Sequence, residues 1–134
     1  MSTNAPTAAP LVSRCFVILE HTGTANYKPG VHWDLLCEEG ETLRAWEFRE
    51  PLTVPRQKVI ALPNHRRLYL DYEGPISGDR GFIRRVAEGT YELLRESFND
   101  WIVQLNGTTL RGDLHLWRET SEQPAWEAVF YPAP

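Results

Sequence analysis

Apolar and polar residues alternate with a period of two along much of the chain, a pattern typical of strands. Residues 15–20 (CFVILE) are a compact β-branched and aromatic run, which predicts a buried strand. Residues 32–37 and 42–49 predict a hairpin, because a Glu-Gly-Glu turn at residues 39–41 separates them. The other predicted strands are residues 58–62, 67–72, 90–96, 101–105, 113–118 and 126–131.

Turn-forming residues interrupt these runs about every eight to twelve positions, which favours one all-β domain, a barrel or a sandwich. Residues 23–30 and 74–81 predict loops from their glycine and polar content. The second loop lacks the Lys-Ser/Thr pair and the helix start of a phosphate-binding P-loop. Asn106-Gly107 predicts a tight hairpin turn. Residues 91–98 (YELLRESF) are also compatible with a short helix.

The chain of 134 residues has the size of one domain and is 42% apolar. Residues 1–12, which begin MSTNAPTAAP, predict a disordered tail, and residues 13–134 the folded domain. The tail lacks the charged and apolar regions of a secretory signal, and no stretch reaches the roughly 18 apolar residues of a membrane span. Cys15 and Cys37 lie in apolar runs without C-x-x-C spacing, so we expect buried, reduced thiols in a cytoplasmic protein.

The formal net charge of −4 argues against a protein that grips nucleic acid through bulk electrostatics. The basic residues comprise twelve arginines and two lysines. The planar guanidinium of arginine suits bidentate contacts to phosphate. A GC-rich genome also favours arginine, so we take only local arginine clusters as indications of function.

A histidine and an aspartate two positions apart, His32 and Asp34, are the most informative pair in the chain. On a strand both side chains project from one face, opposite to the apolar positions between and after them. His21 ends the preceding strand and would approach His32 if the two strands pair antiparallel. Two imidazoles and one carboxylate form a site for a divalent metal. The alternative is a histidine and an aspartate on a half-exposed surface.

A second group of candidates begins at His65, which Arg66 and Arg67 follow directly. Adjacent imidazole and guanidinium groups can bind a phosphate and transfer a proton, so Arg66 and Arg67 are candidate substrate-binding residues. Tyr69 falls on the same face of the predicted strand as Arg67. The alternatives are an exposed basic turn and a tyrosine that only packs. We assign no role to His115, which alternates with leucines.

Taken in order, these pieces resemble the 3′-phosphoesterase domain of bacterial DNA ligase D and its stand-alone relatives. The corresponding pieces here are His21, His32-Trp33-Asp34-Leu35-Leu36, Trp46, Asn64-His65-Arg66-Arg67-Leu68-Tyr69, Tyr72-Glu73-Gly74-Pro75-Ile76, Gly89-Thr90-Tyr91, residues 105–112 and Trp126. They extend over nearly the whole chain. Each piece is short, and the specificity lies in the ordered set.

The resemblance implies a small single-domain antiparallel β-barrel and a metal-dependent phosphoesterase that removes a phosphate or a terminal ribonucleotide from DNA 3′ ends. His21, His32 and Asp34 would be the metal ligands, with Mn²⁺ the expected ion and Zn²⁺ an alternative. His65 would contact the scissile phosphate and protonate the leaving sugar oxygen, with Tyr69 supporting it. The expected partners of this monomer are DNA 3′ ends or a primer-template, and a separate DNA ligase or polymerase.

The chain departs from the family pattern at three points. Leu36 stands where the family has an arginine that helps to bind phosphate, the loop at residues 22–31 is longer, and Pro63 replaces an acidic residue. Loss of that arginine would cost about 2–4 kcal/mol of transition-state stabilisation, by analogy with other lost electrostatic donors. The candidate replacements are Arg66, Arg67, Arg44 and Arg80.

Two other classes of function fit parts of the pattern. A family member disarmed by Leu36 would bind metal or a DNA end without turnover, and Leu36→Arg would then restore activity. An H-x-D pair with a distant histidine is also the facial triad of Fe(II) oxygenases, including cupin-like ones. A chain of this length leaves little room for co-substrate machinery, and iron retention with oxygen-dependent turnover would identify that class.

Overall fold

The computed structural model describes residues 14–134, in which it has nine strands and one short 3₁₀-helix. The strands are β1 (Cys15–Thr24), β2 (Tyr27–Glu39), β3 (Thr42–Phe48), β4 (Arg56–Arg66), β5 (Gly74–Pro75), β6 (Phe82–Glu96), β7 (Asp100–Gly107), β8 (Arg111–Trp117) and β9 (Ala125–Pro132). The 3₁₀-helix is Arg67–Leu70. The described residues contain no α-helix, and the all-β prediction is confirmed.

The strands form one antiparallel sheet in the order β1-β2-β3-β4-β9-β8-β7-β6-β5. Strand β6 also pairs with β1, so that the eight long strands close into a ring. The two residues of β5 pair with the start of β6. Closure pairs the long strands on both sides, which removes the exposed edges that an open sheet would present. The prediction of a small antiparallel barrel is therefore confirmed.

One apolar cluster, here called the interior cluster, fills the barrel, and all eight long strands contribute to it. Trp46 packs against Trp101 and Trp126, with ring centroids 5.4 and 4.9 Å away. Large aromatic rings of this kind fill the inside of a narrow barrel, which is therefore a packed core rather than a channel. Leu35 and Cys37 of β2 belong to this cluster, as the period-two pattern predicts.

A second apolar cluster, the outer cluster, lies on the opposite face of β1, β2, β3 and β6. Its buried members are Val17, Leu19, Leu36, Leu43, Ala45 and Ile83. Residues from the end of β4 to the turn after β5 pack over them: Leu62, Tyr69, Leu70, Tyr72 and Ile76. His32 and Asp34 lie on the same face of β2 as Leu36 and are also buried, so the alternative of a half-exposed pair is wrong.

The segment after β4 differs from its prediction. Residues 67–72, predicted as a strand, begin with the 3₁₀-helix Arg67–Leu70. Their alternating leucines have no strand to pair with, because β4 already lies between β3 and β9 in the closed ring. The apolar side chains pack on the outer cluster instead.

Strand pairing also extends into two segments whose composition predicts a loop or a turn. Residues 23–30 are mostly strand, since β1 extends to Thr24 and β2 begins at Tyr27. Asn106 and Gly107 end β7, and the turn follows them, with the Gly107 N–H donating to the Leu110 carbonyl at 2.8 Å. Residues 91–96 belong to β6, so the helical alternative there is wrong.

The predicted tail, residues 1–12, lies outside the described residues. Across residues 14–134, no helix is both long and apolar enough to cross a membrane. Cys37 is fully buried in the interior cluster and Cys15 is partly buried, and neither forms a disulfide. Burial raises the pKa of the Cys37 thiol far above its usual value.

Candidate metal centre

The antiparallel pairing of β1 with β2 places His21 directly opposite His32. Directly opposed residues share one face of a sheet, and these two rings have centroids 4.5 Å apart. Asp34 lies two residues after His32 and therefore on the same face. One ligand atom from each of the three side chains lies within 4.8 Å of the others, and all three residues are buried. The three predicted metal ligands thus form a group able to hold a metal ion.

Two of the possible ligand atoms of this group have no hydrogen-bond partner in the described part of the chain. His32 Nε2 and Asp34 Oδ1 are buried 3.4 Å apart, and neither has a hydrogen-bond partner among residues 14–134. His21 Nδ1 lies 3.9 Å from Asp34 Oδ2. An unsatisfied buried polar atom costs about 1–3 kcal/mol, and a cation bound by all three side chains would remove that cost. Two imidazoles and a carboxylate fit a divalent ion such as Mn²⁺, Zn²⁺ or Fe²⁺.

The orientation of the His21 ring is set by a backbone carbonyl. His21 Nε2 lies 2.7 Å from the Arg80 carbonyl oxygen, so Nε2–H donates and the Nδ1 lone pair is directed to the Asp34 side. Burial lowers the pKa of His21, which the bond to Arg80 only partly opposes, and the ring is therefore neutral at pH 7. A neutral imidazole held by a carbonyl on its other nitrogen is the usual state of a metal-ligating histidine.

The β5–β6 turn holds the Arg80 carbonyl in this position. The Thr24 hydroxyl donates a 2.9 Å hydrogen bond to the Asp79 carbonyl, which ties the turn to the end of β1. Gly81 has a φ of +93°, and a Cβ at this residue would lie 2.0 Å from the Thr22 carbonyl oxygen. Only glycine permits both this conformation and this close approach to β1.

A second charged pair lies beside the metal ligands. Glu47 of β3 is directly opposite Asp34 and is 6% exposed. Its Oε1 lies 3.9 Å from His32 Nε2 and accepts a 2.6 Å hydrogen bond from Lys28 Nζ, while Arg49 Nε lies 3.6 Å from Oε2. Burial acts to lower the pKa of Lys28, but the hydrogen bond and the charge of Glu47 outweigh it and raise the pKa. Lys28 is therefore a fixed cation at neutral pH.

A cleft of about 360 Å³ on the outer face of the barrel joins the two groups of candidate residues. His21 and Asp34 line it together with His65, Arg66 and Tyr69. A bulge near the end of β4 bends the strand that carries His65, and bulges commonly re-aim side chains next to functional sites. The structure thus brings two of the three predicted metal ligands, His21 and Asp34, to one cleft with the predicted catalytic residues, while His32 is buried next to them.

His65 is half-buried in this cleft, and its ring is also oriented by a carbonyl. His65 Nδ1 lies 3.0 Å from the Pro63 carbonyl oxygen, which leaves Nε2 for proton transfer. The Tyr69 ring meets the His65 ring edge-on, with centroids 5.9 Å apart, and packs on Tyr72 on its other side. Tyr69 therefore restricts the imidazole of His65 and belongs to the cover of the outer cluster.

Two arginines of the cleft carry uncompensated charge. Arg66 and Arg80 both line it, and neither lies within 4.0 Å of a carboxylate among residues 14–134. The Arg80 guanidinium is held at the cleft by a 2.7 Å hydrogen bond from its Nε to the Ser77 carbonyl. An exposed cleft with unpaired guanidinium groups favours anions such as phosphate.

The other arginines proposed from the sequence lie elsewhere. Arg67 forms an ion pair with Glu38 and does not line the cleft. Arg44 stacks over the Trp46 ring at 5.0 Å, on the face of the sheet opposite to the metal ligands. Leu36 is fully buried in the outer cluster, so an arginine at that position would be buried among apolar side chains.

The sequence analysis missed the two residues of the ion pair at the metal ligands. A signal for Glu47 was present, because a hairpin with its turn at residues 40–41 places Glu47 opposite Asp34. Lys28 gave no such signal, since its position depends on an irregular stretch of β2 that loop composition does not predict. The Arg80 carbonyl is a backbone group, which carries no side-chain pattern.

Neither a protein-family model nor a curated protein matches this chain. The likeness to the ligase D phosphoesterase domain therefore consists of the ordered motifs alone. The possible metal group of His21, His32 and Asp34 stands on geometry instead, independently of that likeness.

Proposed function

We propose that this protein is a metal-dependent phosphoesterase that removes a phosphate or a terminal ribonucleotide from the 3′ end of DNA. One observation carries the proposal. The orphaned atoms of His32 and Asp34 lie beside the His21 Nδ1 lone pair, and His21 and Asp34 line a cleft that His65 also lines. A purely structural cluster of this kind has its polar atoms satisfied by protein groups. The ordered motifs supply the substrate class.

His21, His32 and Asp34 would hold the ion, with Mn²⁺ the expected metal and Zn²⁺ the alternative. When bound, the ion supplies Lewis acidity at a phosphoryl oxygen. The Arg80 carbonyl keeps the His21 ring in the ligating orientation through Nε2. Both ions accept nitrogen and oxygen donors, and the preference for Mn²⁺ follows the family resemblance.

His65 would act as the general acid. The bond between phosphorus and the sugar oxygen breaks as the oxygen of a water molecule bonds to phosphorus, and the leaving sugar oxygen takes a proton from His65 Nε2. The proton lost by the water passes to the released phosphate, from which His65 is protonated again. The hydrogen bond of Nδ1 to the Pro63 carbonyl supports this assignment, because it fixes which nitrogen faces the cleft. Tyr69 would keep the ring from rotating.

Arg66 would bind phosphoryl oxygens, since its guanidinium lines the cleft without a carboxylate partner in the described chain. The role of Arg67 as a substrate-binding residue stays a prediction. Arg67 would have to leave Glu38 to reach a phosphate. The Glu38 side chain is only 12% exposed, so breaking this pair costs more than the roughly 1 kcal/mol of a fully exposed pair, and a DNA strand at the rim of the cleft would have to offset that cost.

We further propose DNA 3′ ends or a primer-template as the partner of a cytoplasmic monomer that acts with a separate ligase or polymerase. The net charge of −4 implies that DNA is held at its end by local cations, because a negatively charged surface repels duplex phosphates.

The test of the activity uses the purified chain with Mn²⁺ and a primer that carries a 3′-phosphate. We expect release of inorganic phosphate that is lost with chelator and restored by metal. A ligase D phosphoesterase domain assayed in parallel is the positive control. No cleavage by this chain under conditions where the control cleaves would contradict the proposal.

The test of the site assignment compares His32→Ala with His65→Ala. We expect His32→Ala to abolish metal binding, whereas His65→Ala keeps it and loses turnover by 10²-fold or more, the usual loss of a general acid, on the order of 10²–10⁴. Calorimetric metal titration and the phosphate-release assay measure the two effects. Equal metal affinity in the His32 variant would refute the ligand assignment.

One observation favours a second candidate, a binding module of the same family without turnover. Leu36 is buried in the outer cluster and supplies no cation to the cleft. This module would bind metal and a DNA end, and the substrate would remain intact. The Leu36→Arg test that the sequence suggests is unsuitable, because it would bury an unpaired charge and unfold the cover.

A further inference from the structure

Strand β2 carries an irregular stretch just before the metal ligands. Residues 28–30 bulge opposite Gly23 of β1. Lys28 has a φ of +46°, in the left-handed region that residues other than glycine rarely adopt. A Cβ on Gly23 would lie 1.8 Å from the Lys28 carbonyl oxygen, so glycine is what allows β1 to approach the bulge. Such strain persists only where the surroundings impose it, and here it sets the direction of the Lys28 side chain.

The bulge brings the Lys28 ammonium to the metal group. Nζ donates a 2.6 Å hydrogen bond to Glu47 Oε1, and the same oxygen lies 3.9 Å from the orphaned His32 Nε2. Lys28 lines the cleft together with His21 and Asp34. The Lys28 ammonium and two of the candidate metal ligands therefore line the same cleft.

Lys28 has more hydrogen-bonding capacity than its ion pair uses. An ammonium group has three N–H donors, and among residues 14–134 its only hydrogen-bond acceptor is Glu47. The Lys28 side chain is 39% exposed, whereas that of Glu47 is 7% exposed. Glu47 holds the ammonium from the buried side and leaves the remaining donors to a ligand in the cleft.

We infer that Lys28 binds a phosphoryl oxygen of the substrate next to the metal ligands, with Glu47 as its positioning residue. This inference rests on the proposed function for the identity of the substrate. The binding step itself needs only a phosphate monoester and a group on the protein that carries a fixed positive charge. The Lys28 ammonium, which only the Glu47 carboxylate separates from His32, is suited to bind the negative charge of a terminal phosphate.

The experiment exploits the presence of only two lysines, Lys28 and Lys58. Protein labelled with ¹³C at the lysine ε-carbon gives two such signals, and Lys28→Arg identifies which is which. The Zn²⁺-loaded protein is titrated with thymidine 3′-monophosphate, and with thymidine as the uncharged control. We expect the Lys28 signal to shift saturably with the nucleotide and not with thymidine. Lys58, which pairs with Glu127, should not respond.

Affinities are then measured by calorimetry on Lys28→Met and on the matched control Lys58→Met. We expect Lys28→Met to bind thymidine 3′-monophosphate about 10- to 100-fold more weakly, the usual effect of losing a hydrogen bond to a charged group, with unchanged Zn²⁺ affinity. Lys28→Arg should recover most of the loss. A Lys28 signal that ignores the nucleotide, or wild-type nucleotide affinity in folded Lys28→Met, would overturn the inference.

The two proposals fail separately. If the protein cleaves 3′-phosphorylated DNA equally well with and without the Lys28 side chain, the inference falls and the proposed function stands. If Lys28 binds the nucleotide but no DNA is cleaved, Lys28 is still the phosphate-binding residue and the esterase proposal falls.

The role of Glu47 is tested by Glu47→Gln and Glu47→Asp. A positioning residue predicts that Glu47→Gln reduces the shift of the Lys28 signal and raises the KM for the 3′-phosphate substrate, and that Glu47→Asp recovers part of both. A residue that only stabilises the fold would lower the unfolding midpoint and leave nucleotide affinity of the folded protein unchanged. That second result would remove Glu47 from the inference.

Discussion

The interior and outer faces of the sheet use alternate residues of the same strands, and within residues 14–134 both carry buried polar atoms without hydrogen-bond partners. In the interior these atoms are the indole N–H groups of Trp46, Trp101 and Trp126. Each belongs to a large apolar ring, and the Trp46 and Trp126 rings meet at 81°, an arrangement in which an N–H can face an aromatic π-system. The interior therefore tolerates its orphaned donors at a small cost.

The orphaned atoms of the outer face are of a different kind. Asp34 Oδ1 belongs to a carboxylate, which only accepts hydrogen bonds when ionised, and His32 Nε2 faces it at 3.4 Å. Aromatic rings do not satisfy a buried carboxylate, whereas a cation does. The comparison shows that an orphaned polar atom indicates a ligand only when nothing in its surroundings suits its chemistry. By that criterion the outer face carries a group that could hold a metal ion, whereas the interior is a packed core.

The largest expected effect is on the interior. Trp46→Ala removes a fully buried ring that packs against Trp101 and Trp126, and should lower the free energy of unfolding by about 3–5 kcal/mol. Guanidinium titration followed by circular dichroism measures the loss. Trp46→Phe, which keeps most of the packing, should lose less than half as much. A loss below about 1 kcal/mol for Trp46→Ala would show that this ring contributes little to the stability of the core.

Metal should affect the outer face alone. At a metal concentration of 100 times Kd, binding to the native state stabilises the wild type by about 2.7 kcal/mol. Asp34→Asn should keep the apo stability within about 1 kcal/mol of wild type and lose the metal-dependent gain. Thermal unfolding with and without Mn²⁺ or Zn²⁺ measures both. An equal gain in Asp34→Asn would mean that the ion binds elsewhere.

The β5–β6 turn links stability to the site. Gly81→Ala should cost about 1–3 kcal/mol from its φ of +93°, and more from the approach to the Thr22 carbonyl. Because the same turn supplies the Arg80 carbonyl to His21, we also expect metal affinity to fall by about 10- to 100-fold in the folded variant.

The control for this prediction is Gly40→Ala. Gly40 has a φ of +61°, but a Cβ there meets nothing within 4 Å and the residue lies outside the metal group. It should cost about 1 kcal/mol of stability and leave metal affinity unchanged. A comparable fall in metal affinity for both variants would show that the Arg80 carbonyl does not orient the ligand.

The period-two alternation of side chains and the antiparallel pairing of β1 with β2 were enough to predict the possible metal group. His32 and Asp34 share a face on any strand, and His21 meets His32 because the two strands pair as neighbours. Alternation also placed Leu35 and Cys37 in the interior. These features depend on residues close in sequence, where the period of two determines the result.

What surrounds that group depends on segments distant in sequence. The outer cluster beside it is covered by apolar residues between positions 62 and 76, whose packing over the sheet no local pattern predicts, and whose middle is predicted as a strand. The direction of Lys28 comes from a bulge whose strain is imposed by β1. Sequence therefore indicated the three residues of the possible metal group, whereas the neighbouring Lys28–Glu47 pair depends on contacts that only the folded chain makes.

The remaining prediction concerns chemical reactivity rather than stability, and it tests whether the interior is as closed as its packing implies. Cys37 is fully buried and its thiol pKa is raised by that burial, whereas Cys15 is partly exposed. A thiol reagent should modify Cys37 only when the barrel opens, on the order of 10³-fold or more slower than an exposed thiol. Labelling of Cys15→Ser and Cys37→Ser with a disulfide reagent, followed by absorbance, separates the two rates. Cys37 faces the interior, whereas its neighbour Leu36 on β2 faces the outer cluster. We expect the interior to be the last part of the barrel to open. Rapid labelling of Cys37 in a protein that still binds metal would contradict this, because it would show that the interior opens while the outer face stays formed.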